Sequence, residues 1–227
     1  MRLFSKYRPD ISTIIVIALG IAFVYYAPIN QQLFSFKAKP SPTATPDYSG
    51  WRTYANQKFG LTLKYPATFQ LVAGKSGPLA EWQLYGLTNG VEIVSVEIPR
   101  SILIRTNFGG ASLRVGVSIE ATAVKECLNP PASFGYKDAY TQRVIGGVVF
   151  QEFTRSDTGA GNYYEFTSYR AVRNGLSGQT SGCEVFEYVI HHTNIQNYPA
   201  EAGRKEFDRA TIITSLESIL DTVRFVK

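Results

Sequence analysis

Gln142–Thr154, QRVIGGVVFQEFT, decides the fold class. Two runs rich in β-branched and aromatic residues flank Gly146-Gly147, the composition of a β-hairpin closed by a two-residue turn. Working outward, period-two alternation recurs through most of the chain after Trp51. Ser112–Glu120 (SLRVGVSIE) sets Leu113, Val115, Val117 and Ile119 on one side. Phe59–Tyr65 (FGLTLKY) does the same with Phe59, Leu61, Leu63 and Tyr65, and stops at Pro66. Glu81–Leu87 and Val91–Ile98 read as strands joined by the turn Thr88-Asn89-Gly90. Tyr163–Arg173 and Gly182–His192 read as long strands joined by the polar loop Asn174–Ser181.

Helix is scarcer. Ala121–Cys127 suits a short one. Near the C-terminus Phe207, Ala210, Ile213, Leu216, Leu220 and Val223 recur at three- and four-residue steps, with Ile212 and Ile219 widening the stripe. Asp208, Arg209, Glu217 and Asp221 fall largely on the opposite side, and Thr222–Val226 reads as a last strand. These elements make an α+β domain whose mainly antiparallel central sheet is flanked by helices.

Ahead of this domain lies Ile11–Ala27, ISTIIVIALGIAFVYYA, without a charge and bounded by Pro9 and Pro28. Continued to Ile29, the run spans roughly 28 Å as a helix, close to a bilayer's hydrocarbon thickness. Arg2, Lys6 and Arg8 precede it, so the positive-inside rule puts the N-terminus in the cytoplasm and the rest outside. A cleaved signal peptide has the same charged start and apolar middle. Gly20-Ile21-Ala22 offers small residues for cleavage only inside the apolar run, whereas Tyr25 and Tyr26 suit an interfacial aromatic belt. The anchor is the favoured reading. No cysteine lies near the segment to carry a lipid. The expected layout is a cytoplasmic N-terminus at 1–10, a single transmembrane anchor at 11–29, a Pro/Ser/Thr linker at 30–50 and an extracytoplasmic domain at 51–227. The stretch Lys37–Gly50, KAKPSPTATPDYSG, suits a flexible stalk.

The formal charge of +5 is unevenly placed. Residues 1–49 carry five basic and two acidic side chains, while residues 50–227 carry 18 basic and 16 acidic ones. A nucleic-acid binder needs a clustered basic face, and none stands out after residue 50, so nucleic acid is not an expected partner. The two cysteines, Cys127 and Cys183, both fall in the extracytoplasmic part. In an oxidising compartment an even pair reads as a disulfide. Zinc is the alternative, although two lone cysteines without CxxC spacing are poor ligands.

Tyr54–Pro66, YANQKFGLTLKYP, resembles the opening of PsbP-like domains: an aromatic residue, a short polar turn, glycine, an alternating strand and Tyr-Pro before a further aromatic residue. Ser218–Phe225, SILDTVRF, is similar to their closing helix and strand. The resemblance implies a central antiparallel sheet between helices, with Phe69 filling the core position usually held by Trp. It adds no catalytic residue. The middle of the chain is similar to a bacterial, membrane-anchored variant in Thr106-Asn107-Phe108, Gly116-Val117-Ser118, Cys127, Gly159–Asn162, Cys183 and His191–Asn194 leading to Tyr198-Pro199. That similarity implies that Cys127 and Cys183 belong together.

Chemistry-bearing motifs are thin. Asp157-Thr158-Gly159-Ala160 has the letters of an aspartic-protease loop, but that reaction needs two carboxylates sharing a proton and the chain holds no second copy. The segment reads instead as a turn between strands. His191 and His192 are the only histidines, and adjacent strand residues face opposite ways, so they do not share one metal. Glu187 and His191 share a face, which makes at most two ligands. No G-x-S-x-G occurs. Thirty aromatic residues suit either a stacking surface for glycans or peptides or the core of a broad sheet. The sequence thus points to a non-catalytic, membrane-anchored interaction or assembly domain of the cell envelope, with no catalytic residue, metal or cofactor expected. The partners that fit are an envelope protein or a glycan. A glycan- or peptide-binding module is the alternative reading, and an envelope hydrolase with carboxylates brought together only in space is a third.

Overall fold

Gly146 and Gly147 adopt φ of +57° and +86°, the left-handed pair that a tight hairpin turn requires, and Ile145 stands opposite Val148. The computed structural model describes residues 47–73, 90–130, 135, 141–176 and 180–226. Within them the hairpin joins β6 (Thr141–Ile145) to β7 (Val148–Gly159), and a second two-residue turn, Ala160-Gly161, carries the chain into β8 (Asn162–Leu176). β9 (Thr180–Thr193) returns beside it. With β3 (Gln70–Ala73), β4 (Val91–Ile98) and β5 (Phe108–Ser118) they form a seven-stranded sheet in the order β3-β4-β5-β9-β8-β7-β6, each neighbouring pair antiparallel.

One face of this sheet is the apolar core. Val94, Val96, Leu113, Val115, Phe186, Ile190 and Phe150 are buried there, with the Phe150 and Phe186 rings 5.4 Å apart and edge-on. α2 (Arg209–Asp221) contributes Ile212, Leu216, Ile219 and Leu220 to the same core, the stripe that its periodicity predicts. The Asp208 side chain starts that helix by accepting from the Thr211 amide. A second, three-stranded sheet adds to this layer: β1 (Trp51–Asn56), β2 (Leu61–Pro66) and β10 (Arg224–Phe225), in the order β1-β2-β10. Leu61, Leu63 and Tyr65 of β2 join the core. Trp51 pairs with Pro66 at one end of β2, while Phe225 pairs with Leu61 at the other.

The opposite face is polar and nevertheless buried. One row of the register reads Ser95, Arg114, Glu187, Ser168 and Phe153 across five strands. Arg114 and Glu187 form an ion pair with side chains 3% and 0% exposed. Alongside, the Arg155 guanidinium lies 3.5 Å from the Phe166 ring centroid. The short helix α1 (Ala121–Glu126) packs on this side of β9, and the Cys127–Cys183 disulfide fastens its end to the strand, with Cα atoms 5.5 Å apart.

An antiparallel sheet and an α+β class match the sequence reading, but helix is sparser than the phrase "flanked by helices" implies. Among the described residues one thirteen-residue helix covers the core face and one six-residue helix lies on the other. β1 and β3 were not expected, and neither was the second sheet: both strands are short, and β1 leaves its residues exposed or half-buried. β5 starts earlier than Ser112 and ends at Ser118, which leaves Ile119 51% exposed instead of in the core row. β2 likewise begins at Leu61 and not at Phe59, because Gln57–Gly60 makes the turn from β1. Phe69 does pack against the core. The anchor at 11–29, most of the 30–50 linker, the 81–87 strand and most of its turn lie outside the described residues. Among those described, no helix is long and apolar enough to cross a membrane.

Candidate functional site

The motifs singled out in the sequence converge on one end of the large sheet, where β5 and β8 begin and β7 and β9 finish. Adjacent residues of a strand face opposite ways, and His191 and His192 accordingly stack on different tyrosines. On the polar face the His191 ring lies 4.4 Å from that of Tyr164, nearly parallel at 12°, and its Nε2 is 2.9 Å from Asn162 Oδ1. On the core face His192 stacks on Tyr163 at 5.1 Å, tilts against Phe207 at 5.4 Å, and brings Nε2 to 3.4 Å from Glu165. Arg209, at the start of α2, grips the other oxygen of Glu165.

Gly109 makes room for the first stack. It occupies a break in the β5–β9 register, and a Cβ built there would lie 2.3 Å from His191 Nδ1. Gly109→Ala must therefore push the imidazole off Tyr164 or move the bulge. We expect a loss of about 1–3 kcal/mol, the range for overpacking, read from urea unfolding. An unchanged midpoint would show that the stack yields freely.

Behind the rings sits Asn107, 5% exposed, which ties three segments together. Its Nδ2 donates to the Thr193 carbonyl at 2.8 Å, its Oδ1 accepts from the Phe207 amide at 3.0 Å, and its own amide donates to the Lys205 carbonyl. Thr193 Oγ1 and the Tyr198 hydroxyl are 2.7 Å apart, and Asn194 caps the following 3₁₀ turn by accepting from the Gln196 amide. Nothing in the spacing of Asn107, Tyr198 and Phe207 announces this hub, since the three are about a hundred residues apart in places. The only signal was that Thr106-Asn107-Phe108 and His191–Tyr198 both carried the family resemblance.

Burial pulls the His191 pKa below the ordinary imidazole value, helped by His192 and Arg100. A depressed folded-state pKa means that the neutral ring is the stable form. Its contribution is present above the unfolded value near 6.5 and is lost as pH falls through the folded one. Stability should thus decline on acidification from about pH 7 to pH 5, and His191→Gln should flatten that part of the curve. A variant with the parent's slope would assign the decline to other groups.

The other candidates are placed as follows. Asp157 and Thr158 lie within β7 opposite Tyr164 and Tyr163, so the first three protease-like letters mark strand and only the fourth, Ala160, belongs to the turn Ala160-Gly161. Glu187 shares the His191 face but stands against Arg114. Cys127 and Cys183 are bonded to each other. Among the described residues no three of His, Cys, Asp and Glu come together as a metal site. Elsewhere, burial raises the Glu184 carboxyl while the adjoining Arg173 draws it back, and Arg143 bridges from β6 to Glu217 and Asp221 on α2.

No family model matches the chain, and no curated protein matches it in sequence. Among solved structures, a protein of Bacteroides thetaiotaomicron VPI-5482 is 11% identical with a TM-score of 0.40, covering 78% of this chain and 49% of its own. The chain thus spans about half the length of that protein. LpqN of Mycobacterium tuberculosis, described as involved in cell envelope biogenesis, is 12% identical with a TM-score of 0.34, covering 74% of this chain and 83% of its own. Both superpose too loosely to mark a shared fold.

Proposed function

We propose that the chain is a non-catalytic interaction or assembly domain of the cell envelope, held at the membrane by residues 11–29 and working outside the cytoplasm through its histidine end. The observation that carries this reading is how the side chains at that end are engaged. Stacking, capping and hydrogen bonds within the domain hold His191 with Tyr164 on one face of this end, His192 with Tyr163 and Glu165 on the other, and Tyr198 against Thr193, so the end of the sheet is edged by fixed, half-exposed rings. Such a surface suits docking, where rigid aromatic area is gained at low entropic cost. The Cys127–Cys183 bond supports an oxidising location. The PsbP-like assignment belongs to the same reading and rests on the quoted motifs, with an antiparallel sheet and a helix on the core face in its support.

The test is a photo-crosslinking residue in place of Gln196, which is exposed beside Tyr198, in the full chain within its native envelope. A discrete adduct with one envelope protein is the expected result. A glycan adduct in its place would favour the alternative, in which Tyr163, Tyr164 and Tyr198 stack on sugar rings. An adduct with cytoplasmic proteins alone would overturn the reading, and so would cytoplasmic activity of a reporter fused after Lys227.

A further inference from the structure

Beside the histidine end, Pro99–Thr106 (PRSILIRT) links β4 to β5, and its apolar residues are arranged unusually. A 3₁₀ turn over Arg100–Leu103 tucks Leu103 against the core. Ile102 and Ile104 point the other way, 40% and 74% exposed. Single exposed aliphatic residues are ordinary on a protein surface, but here two share one six-residue tip, Arg100–Arg105. The backbone fixes the display: Arg105 adopts φ of +64°, a conformation uncommon outside glycine, and the Thr106 hydroxyl donates to the Leu103 carbonyl at 2.7 Å.

Positive charge flanks the tip. Arg100 and Arg105 flank the two isoleucines in sequence, and both are exposed. A parallel bridge between Thr106 and Lys205 brings in a second basic pair, with the Lys205 amide donating to the Arg105 carbonyl and Arg204 Nη1 donating to the Thr106 carbonyl. Three exposed cations, Arg100, Arg105 and Lys205, thus lie in the segments that carry and adjoin the isoleucines, while Arg204 is held over the Tyr198 ring at 4.4 Å. Of the acidic residues of the docked segment, Glu206 is exposed next to Lys205 and Glu201 is further away along the chain, while Asp208 is taken up in capping α2.

The chain also enters the domain at this end. Trp51 pairs with Pro66, four residues before Gln70, and Gln70 pairs with Glu97, two residues before Pro99. The first strand of the domain therefore begins on the side of the loop.

We propose that Arg100–Arg105 is a membrane-contact loop for an anionic bilayer. Ile102 and Ile104 seat among the acyl chains just below the headgroups, and Arg100, Arg105 and Lys205 lie against lipid phosphates. An apolar wedge with a cationic collar is the surface such a bilayer binds, combining buried apolar area with attraction for anionic lipid. The loop supplies the wedge and two of the three cations, and Lys205 supplies the third. This contact is separate from the anchor at residues 11–29, and the experiment distinguishes them.

The full chain is reconstituted into vesicles of phosphatidylethanolamine and phosphatidylglycerol, with an environment-sensitive fluorophore on Ile104→Cys. A second preparation carries the fluorophore on Ile119→Cys, exposed at the far end of β5, as the reference. Blue-shifted emission, quenched by nitroxide-bearing lipids at 104 and not at 119, is the expected result. Arg105→Gln should weaken the contact about fivefold, the effect of one cation near an anionic surface, and vesicles of phosphatidylcholine alone should weaken it further. Equal emission at 104 and 119 in chains that float with the vesicles would overturn the loop and leave the anchor standing. Chains that stay off the vesicles altogether would overturn both. A signal at 104 that is indifferent to phosphatidylglycerol and to Arg105 would also overturn the proposal, since its cationic collar would then do nothing.

Discussion

Replacing Glu187 with alanine is expected to cost the domain about 3–5 kcal/mol, the range for breaking a buried ion pair from one side. The Glu187 side chain is 0% exposed and that of Arg114, its partner across β5 and β9, is 3% exposed. Removing the carboxylate leaves a guanidinium in a low-dielectric layer with its nearest compensating charge gone. Glu92 is close enough to feel Arg114, and its own carboxyl is raised chiefly by burial, so it offsets only part of the loss. The pair as a whole need not be stabilising, because its own desolvation opposes its attraction. We therefore expect Arg114→Met combined with Glu187→Leu to be markedly more stable than either single change. Urea midpoints of the three variants and the parent give the coupling energy. A double variant as unstable as the sum of the singles would show that the two charges act independently.

Loss of the disulfide comes next. Cys127 and Cys183 are 56 residues apart, and closing a loop of that length removes entropy from the unfolded chain worth about 4 kcal/mol. For a domain of this size that corresponds to a fall in Tm of about 8–16 °C. Cys127→Ser alone also leaves the thiol of Cys183, itself 0% exposed, in an apolar cluster with Val185. The double replacement by alanine is thus the cleaner measurement, and reduction of the parent protein should reproduce it. A Tm that ignores both reductant and replacement would mean that the bond constrains little of the unfolded ensemble.

The core face was legible in the sequence and the polar face was not, for a physical reason. Alternation in SLRVGVSIE or FGLTLKY identifies the residues that must leave water, because apolar area alone drives them inward. It says nothing about the intervening positions, which are read as solvent-facing unless something covers them. Here Arg114, Glu187, Ser168 and Arg170 are buried too, and that outcome depends on partners across the register, which no local pattern encodes. The histidines show the same division. Their placement on opposite faces follows from adjacency in a strand, whereas their stacking on Tyr163 and Tyr164 needs the β8–β9 register. Short strands escaped for want of length: four residues of β3 contain too few alternations to rise above chance. The disulfide was accessible because the reasoning ran through compartment and count and needed no geometry.

The small sheet gives the domain a mechanical direction. β1 and β10 both run antiparallel to β2, which lies between them, so they run parallel to each other. The first begins at the Pro66 end of β2, and the second finishes at the Leu61 end. A pull on the two termini of the domain acts along the strands, in shear, and loads the hydrogen bonds of each ladder together; pulling across the strands would break them one after another. The six paired positions between β1 and β2 make a broad grip, while β10 holds through Arg224, Phe225 and the bond from the Val226 amide to Gly60. Under tension the C-terminal strand should slip first, leaving the seven-stranded sheet and its charged interior folded behind it.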